Sequence, residues 1–427
     1  MTRDPSQDRD AVRALVAVAF TIFLDLVGFG IILPVLPYFT EAMGASAAEV
    51  ALLATTFSIA QLAFSPVLGR LSDRFGRRPV LLISIAGSVV SAALLWRADT
   101  LAMVFTSRAI AGMSKANLST AHAYVADLVT PENRAKIMGR LSAAASLGLV
   151  AGPAIGALLA VDRMPTLPFL VTAILSAVNL LLVAWWVPEI PAARRRGSPA
   201  RAPSTAGPRL PSTADSRLAR TPSDRTPSDT TTTTLAWLLV AGFLFFFGYT
   251  GIQATFALFT KRLFGWGSWE TGWVLMLMGA SMALAQGLAI GRIVTRFGEA
   301  SAAALGFAIF LAGAACLGFS ALQGSLGALL AGSVVLVVGA GVLQTCLTAL
   351  VASLARAESR GLLLGFRDAA GAFGRIFGPM IAGFTFEHLG ITWPSLLAGA
   401  SALLALLIVL GLGDRTRLPA PQRARNT

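Results

Sequence analysis

The chain has 427 residues, of which 55% are hydrophobic and only 13% charged, and its mean hydropathy is +0.72. A soluble domain carries about 25% charged residues, so this composition excludes an ordinary soluble fold. The formal net charge of +13 is almost all arginine, since Lys115, Lys136 and Lys261 are the only lysines, and it sits in loops between apolar runs, which argues for one side of a membrane and against nucleic acid.

Crossing the hydrocarbon takes about 20 apolar residues, and a backbone in lipid must satisfy its own hydrogen bonds, so the apolar runs are helices. The short alternation of a membrane barrel is absent. In chain order the spans are 13–38, 48–70, 79–97, 101–123, 137–160, 167–187, 235–260, 269–291, 300–320, 325–353, 361–385 and 393–412. The first run begins near Ala11 with no small-residue cleavage site after it, and reads as an uncleaved first span. Loops rich in arginine alternate with loops that have little charge. Arg70, Arg74, Arg77 and Arg78 follow span two, Arg134, Lys136 and Arg140 surround the entry to span five, and Arg292 and Arg296 follow span eight. The positive-inside rule then puts both termini in the cytoplasm. The arginine skew suits a GC-rich bacterial genome and hence a bacterial inner (cytoplasmic) membrane. Cys316 and Cys346 fall inside apolar runs and read as small core hydrophobes, with no metal site implied.

The expected organisation is a cytoplasmic tail (1–12), a six-helix bundle (13–187), a linker (188–234), a second six-helix bundle (235–412) and a tail (413–427). The linker is rich in Pro, Ser, Thr and Arg and too poor in apolar residues to fold; it reads as a cytoplasmic tether whose arginines are placed to touch anionic lipid headgroups.

The chain matches itself across that linker. GRLSDRFG from Gly69 recurs as GRIVTRFG from Gly291, and Arg134, Gly139, Gly148, Gly152 and Pro153 recur as Arg360, Gly365, Gly374, Gly378 and Pro379. Repeats in the same orientation imply an axis along the membrane normal, with a substrate site between the halves. Small residues line one face of span five (Ala144, Gly148, Gly152, Gly156) and of span eleven (Ala370, Gly374, Gly378, Ala382), as a static packing surface or as a moving seam. Pro153 and Pro379 each remove a helical hydrogen bond.

These motifs resemble the major facilitator superfamily, and within it the twelve-helix drug:proton antiporters that include the tetracycline-resistance efflux pumps. GRLSDRFGRRP at 69–79 is similar to the loop motif between helices two and three, LDLVGFGIILPVLPYF at 24–39 to a first-helix motif, the stretch at 107–139 to the helix-four motif, and GLVAGPAIG at 148–156 to the helix-five motif linked with antiport. The resemblance covers residues 13–412 apart from the linker, and implies an all-α fold of two pseudo-symmetric six-helix bundles acting as a monomer. It also implies a cytoplasmic gate of Gly69, Asp73, Arg74, Gly76, Arg77 and Arg78, in which Asp73 faces the start of helix eleven and Arg77 pairs with Asp127.

A mid-span carboxylate in hydrocarbon is costly, so Asp25 must pair or take a proton. Gly28, Gly30, Pro34 and Pro37 after it read as loosening the helix. The resemblance makes Asp25 a proton-coupling residue and Arg108 its partner, or the partner of helix-one carbonyls. Arg108, Lys115 and His122 recur at intervals of seven on one face of helix four. Lys115 departs from the family pattern; it reads as binding an anionic or carbonyl-rich substrate group, or as pairing with a carboxylate or snorkelling. His122 reads as interfacial, or as titrating at the cavity. Lys115, Asn117, His122, Gln253, Gln344 and Arg375 are the candidate cavity residues. Residues 300–320 hold no acid where the tetracycline pumps carry an aspartate in helix nine, and the Arg- and Lys-rich cavity argues against a strongly cationic substrate. No nucleotide loop, nucleophile set or metal cluster is apparent, so no enzyme activity or cofactor is expected, and an ion gradient is the energy source. The expected function is proton-coupled efflux of an amphiphilic small molecule; the alternatives are proton-coupled uptake of a small, anionic metabolite and a transporter-like sensor.

Overall fold

The computed structural model describes residues 5–115, 120–121, 124–125, 129, 131–160, 164–189, 229–354 and 360–412. Asn117, His122 and Asp127, the tail at 413–427 and most of the expected linker lie outside them. The described residues form twelve helices and are all-α apart from turns: α1 (Pro5–Ala42), α2 (Ala47–Phe75), α3 (Arg77–Trp96), α4 (Leu101–Met113), α5 (Pro131–Leu159), α6 (Leu167–Trp186), α7 (Asp229–Phe264), α8 (Ser268–Leu284), α9 (Ile290–Gln323), α10 (Leu326–Leu354), α11 (Arg360–His388) and α12 (Trp393–Leu412). A π turn at Ala285–Ala289 joins α8 to α9.

Every expected span falls on a helix, and ten are long and apolar enough to cross a membrane. The other two have simple reasons. α4 is described as a helix over 13 residues, and α11 carries Arg367, Asp368 and Arg375 in its length. Two boundaries move outward: α1 starts at Pro5, inside the expected tail, and α7 starts at Asp229, inside the expected linker. Hydropathy marks where the apolar stretch ends, whereas a helix continues until a residue breaks it, and the threonine run at 230–234 contains no breaker.

The repeat is structural as well as sequential. Gly76 ends α2 at φ 114°, and its equivalent Gly298 breaks the α8–α9 path at φ 79°; both angles lie where a side chain is strained, so glycine is the residue that fits. Just before each glycine an arginine lies over the next phenylalanine ring, Arg74 at 5.3 Å from Phe75 and Arg296 at 5.5 Å from Phe297. Helix pairing repeats too. α1 packs on α5 and α6, as α7 packs on α11 and α12; α3 packs on α6 as α9 on α12; and the halves meet through α2 with α11 and α8 with α5. Pro66 interrupts α2 in the turn where the second half has its π turn, so both copies loosen the same turn by different means.

The small-residue faces pack inside each half. A side chain on Gly152 would meet Gly30 Cα at 2.6 Å, and one on Gly156 the Ile31 carbonyl at 2.4 Å, both on α1. Gly374 and Gly378 approach the Phe243 and Phe247 carbonyls of α7 in the same way, at 2.7 and 2.4 Å. Gly148 lies 2.6 Å from the Phe23 carbonyl by the same measure. Glycine therefore lets two helix backbones touch with nothing between them.

At one end of the bundle the halves are joined. Tyr38 Oη of α1 donates to the Ala257 carbonyl (3.0 Å) and lies 2.6 Å from Thr271 Oγ1, reaching both α7 and α8. Lys261 pairs with Glu41 at 3.0 Å, the Ala47 amide donates to Glu387 at 3.0 Å, and deeper in the bundle Thr55 donates to the Ile376 carbonyl. The other end is splayed. There, added side chains on Gly69, Gly139, Gly291 and Gly365 would meet nothing within 4 Å among the described residues, and Phe64, Val67, Leu284 and Leu288 are exposed.

Candidate functional site

A cavity of about 860 Å³ lies between the halves, walled by α1, α2, α4, α7 and α11. Its apolar wall includes Phe29, Leu33, Leu36 and Phe57; its polar groups include Arg108 from the first half and Gln253 and Arg375 from the second. Arg375 lies 4.9 Å from the centroid of the Phe246 ring, a cation–π seat that fixes the guanidinium without neutralising it. Arg108 is 6% exposed, its Nε has no hydrogen-bond partner, and among the described residues it forms no ion pair.

Arg108 also lines a second, polar space of about 430 Å³ inside the first half, together with Asp25, Lys115, Ser88 and Thr172. There Lys115 Nζ sits 2.5 Å from Asp25 Oδ2, with the two side chains 15% and 10% exposed, and the Phe29 ring centroid lies 5.2 Å from the same nitrogen. The resemblance offered Asp25 or helix-one carbonyls as partners of Arg108; in the structure Lys115 holds Asp25, the carboxylate pairing that was one of its readings from sequence, and it lines the Asp25 chamber beside the central cavity. Gly28 and Gly30, read from sequence as loosening α1, are contact points against Thr172 and Gly152, and α1 remains one helix through Pro34 and Pro37.

The remaining candidates divide. Gln344 lines neither space: its side chain meets Gln286 at 3.4 Å and its carbonyl accepts from Arg367. Asp368 is paired with Arg367 at 2.9 Å, not with Arg375. Pro379 lines the central cavity, and Pro153 a neighbouring apolar space of about 550 Å³ that also touches Tyr249, Phe256 and Met278. At the splayed end Arg77 donates to Asp73 (2.9 Å) and Ser72 (3.0 Å), and Arg78 donates to the Ala184 carbonyl of α6. Tyr38 and Glu387 were not singled out as site residues in the sequence, because their partners lie more than 100 residues away in the chain.

Against known protein families, the Major Facilitator Superfamily model matches residues 18–298 and 238–427. The chain belongs to the major facilitator superfamily. It is 31% identical over 409 residues to the class C tetracycline resistance protein of Escherichia coli, covering 95% of this chain and 98% of that one. To the class D tetracycline resistance protein of Salmonella ordonez it is 33% identical over 426 residues, covering 96% and 98%. Among solved structures it is similar to the human organic anion transporter MFSD10 (TETRAN), with a TM-score of 0.66 and 26% identity over 93% of this chain and 99% of that one. The nucleoside transporter NupG, at 13% identity and a TM-score of 0.72 over 94% and 99%, shares the fold. The chain is a multi-pass membrane protein of a transporter superfamily, with tetracycline- and multidrug-resistance proteins among its relatives.

Proposed function

We propose that this chain is a proton-coupled secondary transporter that exports an amphiphilic small organic molecule across the bacterial inner membrane by alternating access. The observation that carries the reading is the placement of Arg108: one buried cation lines both the amphiphilic cavity between the halves and the chamber that holds Asp25. A carboxylate in the membrane interior is retained where ions or protons pass. Protonation of Asp25 would loosen its hold on Lys115 and change the charge beside Arg108, which couples proton and substrate through one side chain. Similarity to tetracycline resistance proteins over nearly the whole chain supports efflux. With the arginine-rich loops in the cytoplasm, the splayed end faces inward and the Tyr38 end faces the periplasm. Gly69, Asp73, Arg74, Gly76, Arg77, Arg78 and Asp127 would then form the gate that closes in the opposite state.

A second reading, uptake of a small organic anion with protons, is favoured by Arg108 and Arg375 in a cavity whose described lining holds no carboxylate, and by the likeness to a human organic anion transporter. Inverted membrane vesicles under an imposed pH gradient decide between them. Internal acidification drives accumulation of exported compounds; outward loss, or no flux in wild type across a broad panel of amphiphiles, refutes export. Asp25→Asn is expected to abolish gradient-driven flux while leaving substrate binding measurable.

A further inference from the structure

Between them, the central cavity and the polar chamber hold three cations, Arg108, Lys115 and Arg375, against one carboxylate, Asp25, among the described residues. Lys115 takes that carboxylate. Among the described first-half residues that line these two spaces, the charge left without an ionic partner is therefore on Arg108, which is almost wholly buried and borders the substrate space. A buried guanidinium without a counter-charge is unfavourable, and the arrangement becomes favourable when a ligand brings the missing anion. The planar fork of arginine suits a carboxylate or sulfonate in two-pronged contact, whereas an ammonium is a compact point charge well placed to stay on Asp25 under the Phe29 ring.

We propose that Lys115 is a positioning residue: by occupying Asp25 it keeps Arg108 free to hold the anionic group of an amphiphilic substrate, with Arg375 facing the same space from the second half. The proposal rests on the transport reading above and adds the charge of the substrate and the residue that enforces it. Without Lys115, Arg108 is the remaining cation lining the chamber of Asp25 and becomes its partner, so the cavity loses its anion site although Arg108 itself is intact.

The test is equilibrium binding to the purified full chain in lipid nanodiscs, with radiolabelled 2-naphthoate and its neutral counterpart 2-naphthamide as probes. Wild type should prefer naphthoate by about tenfold or more, the size of a hydrogen-bonded charge contact. Lys115→Met should bring the two probes to near parity, Lys115→Arg should keep the preference, and the double variant Asp25→Asn with Lys115→Met should restore it by releasing Arg108. Equal binding of both probes by wild type, an unchanged preference in Lys115→Met, or no recovery in the double variant overturns the proposal. If Lys115→Met does not fold, the preference in Lys115→Arg and in the double variant decides: kept in both supports the proposal, lost in either overturns it. Wild-type gradient-driven flux is measured alongside. Flux without an anion preference sinks this proposal alone, and the expected preferences without flux sink the transport reading alone.

Discussion

Replacing Tyr38 by phenylalanine removes one oxygen from the joined end of the bundle and leaves the ring in place. That oxygen lies 2.6 Å from Thr271 Oγ1 and 3.0 Å from the Ala257 carbonyl, tying α1 to α8 and α7. Neither partner is orphaned by the change, because Thr260 Oγ1 donates to the same carbonyl at 2.9 Å and lies 3.0 Å from Thr271 Oγ1. The loss is therefore the net value of one or two hydrogen bonds, about 1–2 kcal/mol, rather than a full desolvation penalty. If those bonds exist only when this end is closed, the ratio of open to closed molecules rises by about 5–30-fold. The ion pair beside it is weaker: Lys261 and Glu41 are 43% and 32% exposed, which limits it to about 0–1 kcal/mol. Spin labels at Ala42→Cys and Trp269→Cys, with Cys316 and Cys346 replaced, report the separation across this end by double electron–electron resonance. Tyr38→Phe should enlarge the long-distance population more than Glu41→Gln does. A ratio within twofold of wild type in Tyr38→Phe, or a larger shift in Glu41→Gln, would refute the assignment of the tyrosine as the stronger tie.

Two further outcomes follow from the glycines. Gly76→Ala meets both a strained φ and the Glu189 carboxylate, 2.5 Å from the added carbon, whereas Gly298→Ala meets the backbone strain alone, about 1–3 kcal/mol. Thermal unfolding should show the larger loss for Gly76→Ala, and equal losses would show that the Glu189 contact relaxes freely. Gly139→Val and Gly365→Val place side chains in open space at the splayed end and should leave the stability of this conformer nearly unchanged. If those helix ends close on each other during transport, both variants should lose flux in vesicles; full activity would place the moving contacts elsewhere.

Helix number, the repeat and the close glycine contacts were legible because each has a one-dimensional signal: hydropathy over a span's length, a matching offset, and small residues every fourth position. The partner of Asp25 was not legible. Intervals of seven put Arg108 and Lys115 on one face of α4, and spacing alone does not say which cation reaches across to α1. Family resemblance left Arg108 between Asp25 and helix-one carbonyls, and Lys115, which departs from the family pattern, made the contact with Asp25 that was one of its readings. Gly28 and Gly30 were legible as unusual but not in their role, since a glycine that loosens a helix and one that admits a neighbour look alike in sequence. Tyr38 carried no local signal at all; its hydrogen bonds come from the docking of two halves encoded far apart.

Among the described residues, the second copy has no Asp–Lys pair at the place of the ionic chamber. The matching contacts of Gly148 with Phe23 and of Gly374 with Phe243 set an offset of 220 between α1 and α7, at which Asp25 corresponds to the buried Phe245 and Phe29 to Tyr249, and the neighbouring space there is walled by Tyr249, Phe256 and Met278. The two copies thus differ at this place: the first keeps the Asp25–Lys115 pair beside Arg108, and the second has aromatic residues there while giving Gln253 and Arg375 to the central cavity. Joining the halves in reversed order should keep both contributions, whereas a molecule made of two first halves would own two Asp25–Lys115 chambers and lose the cation that Arg375 brings to the shared cavity.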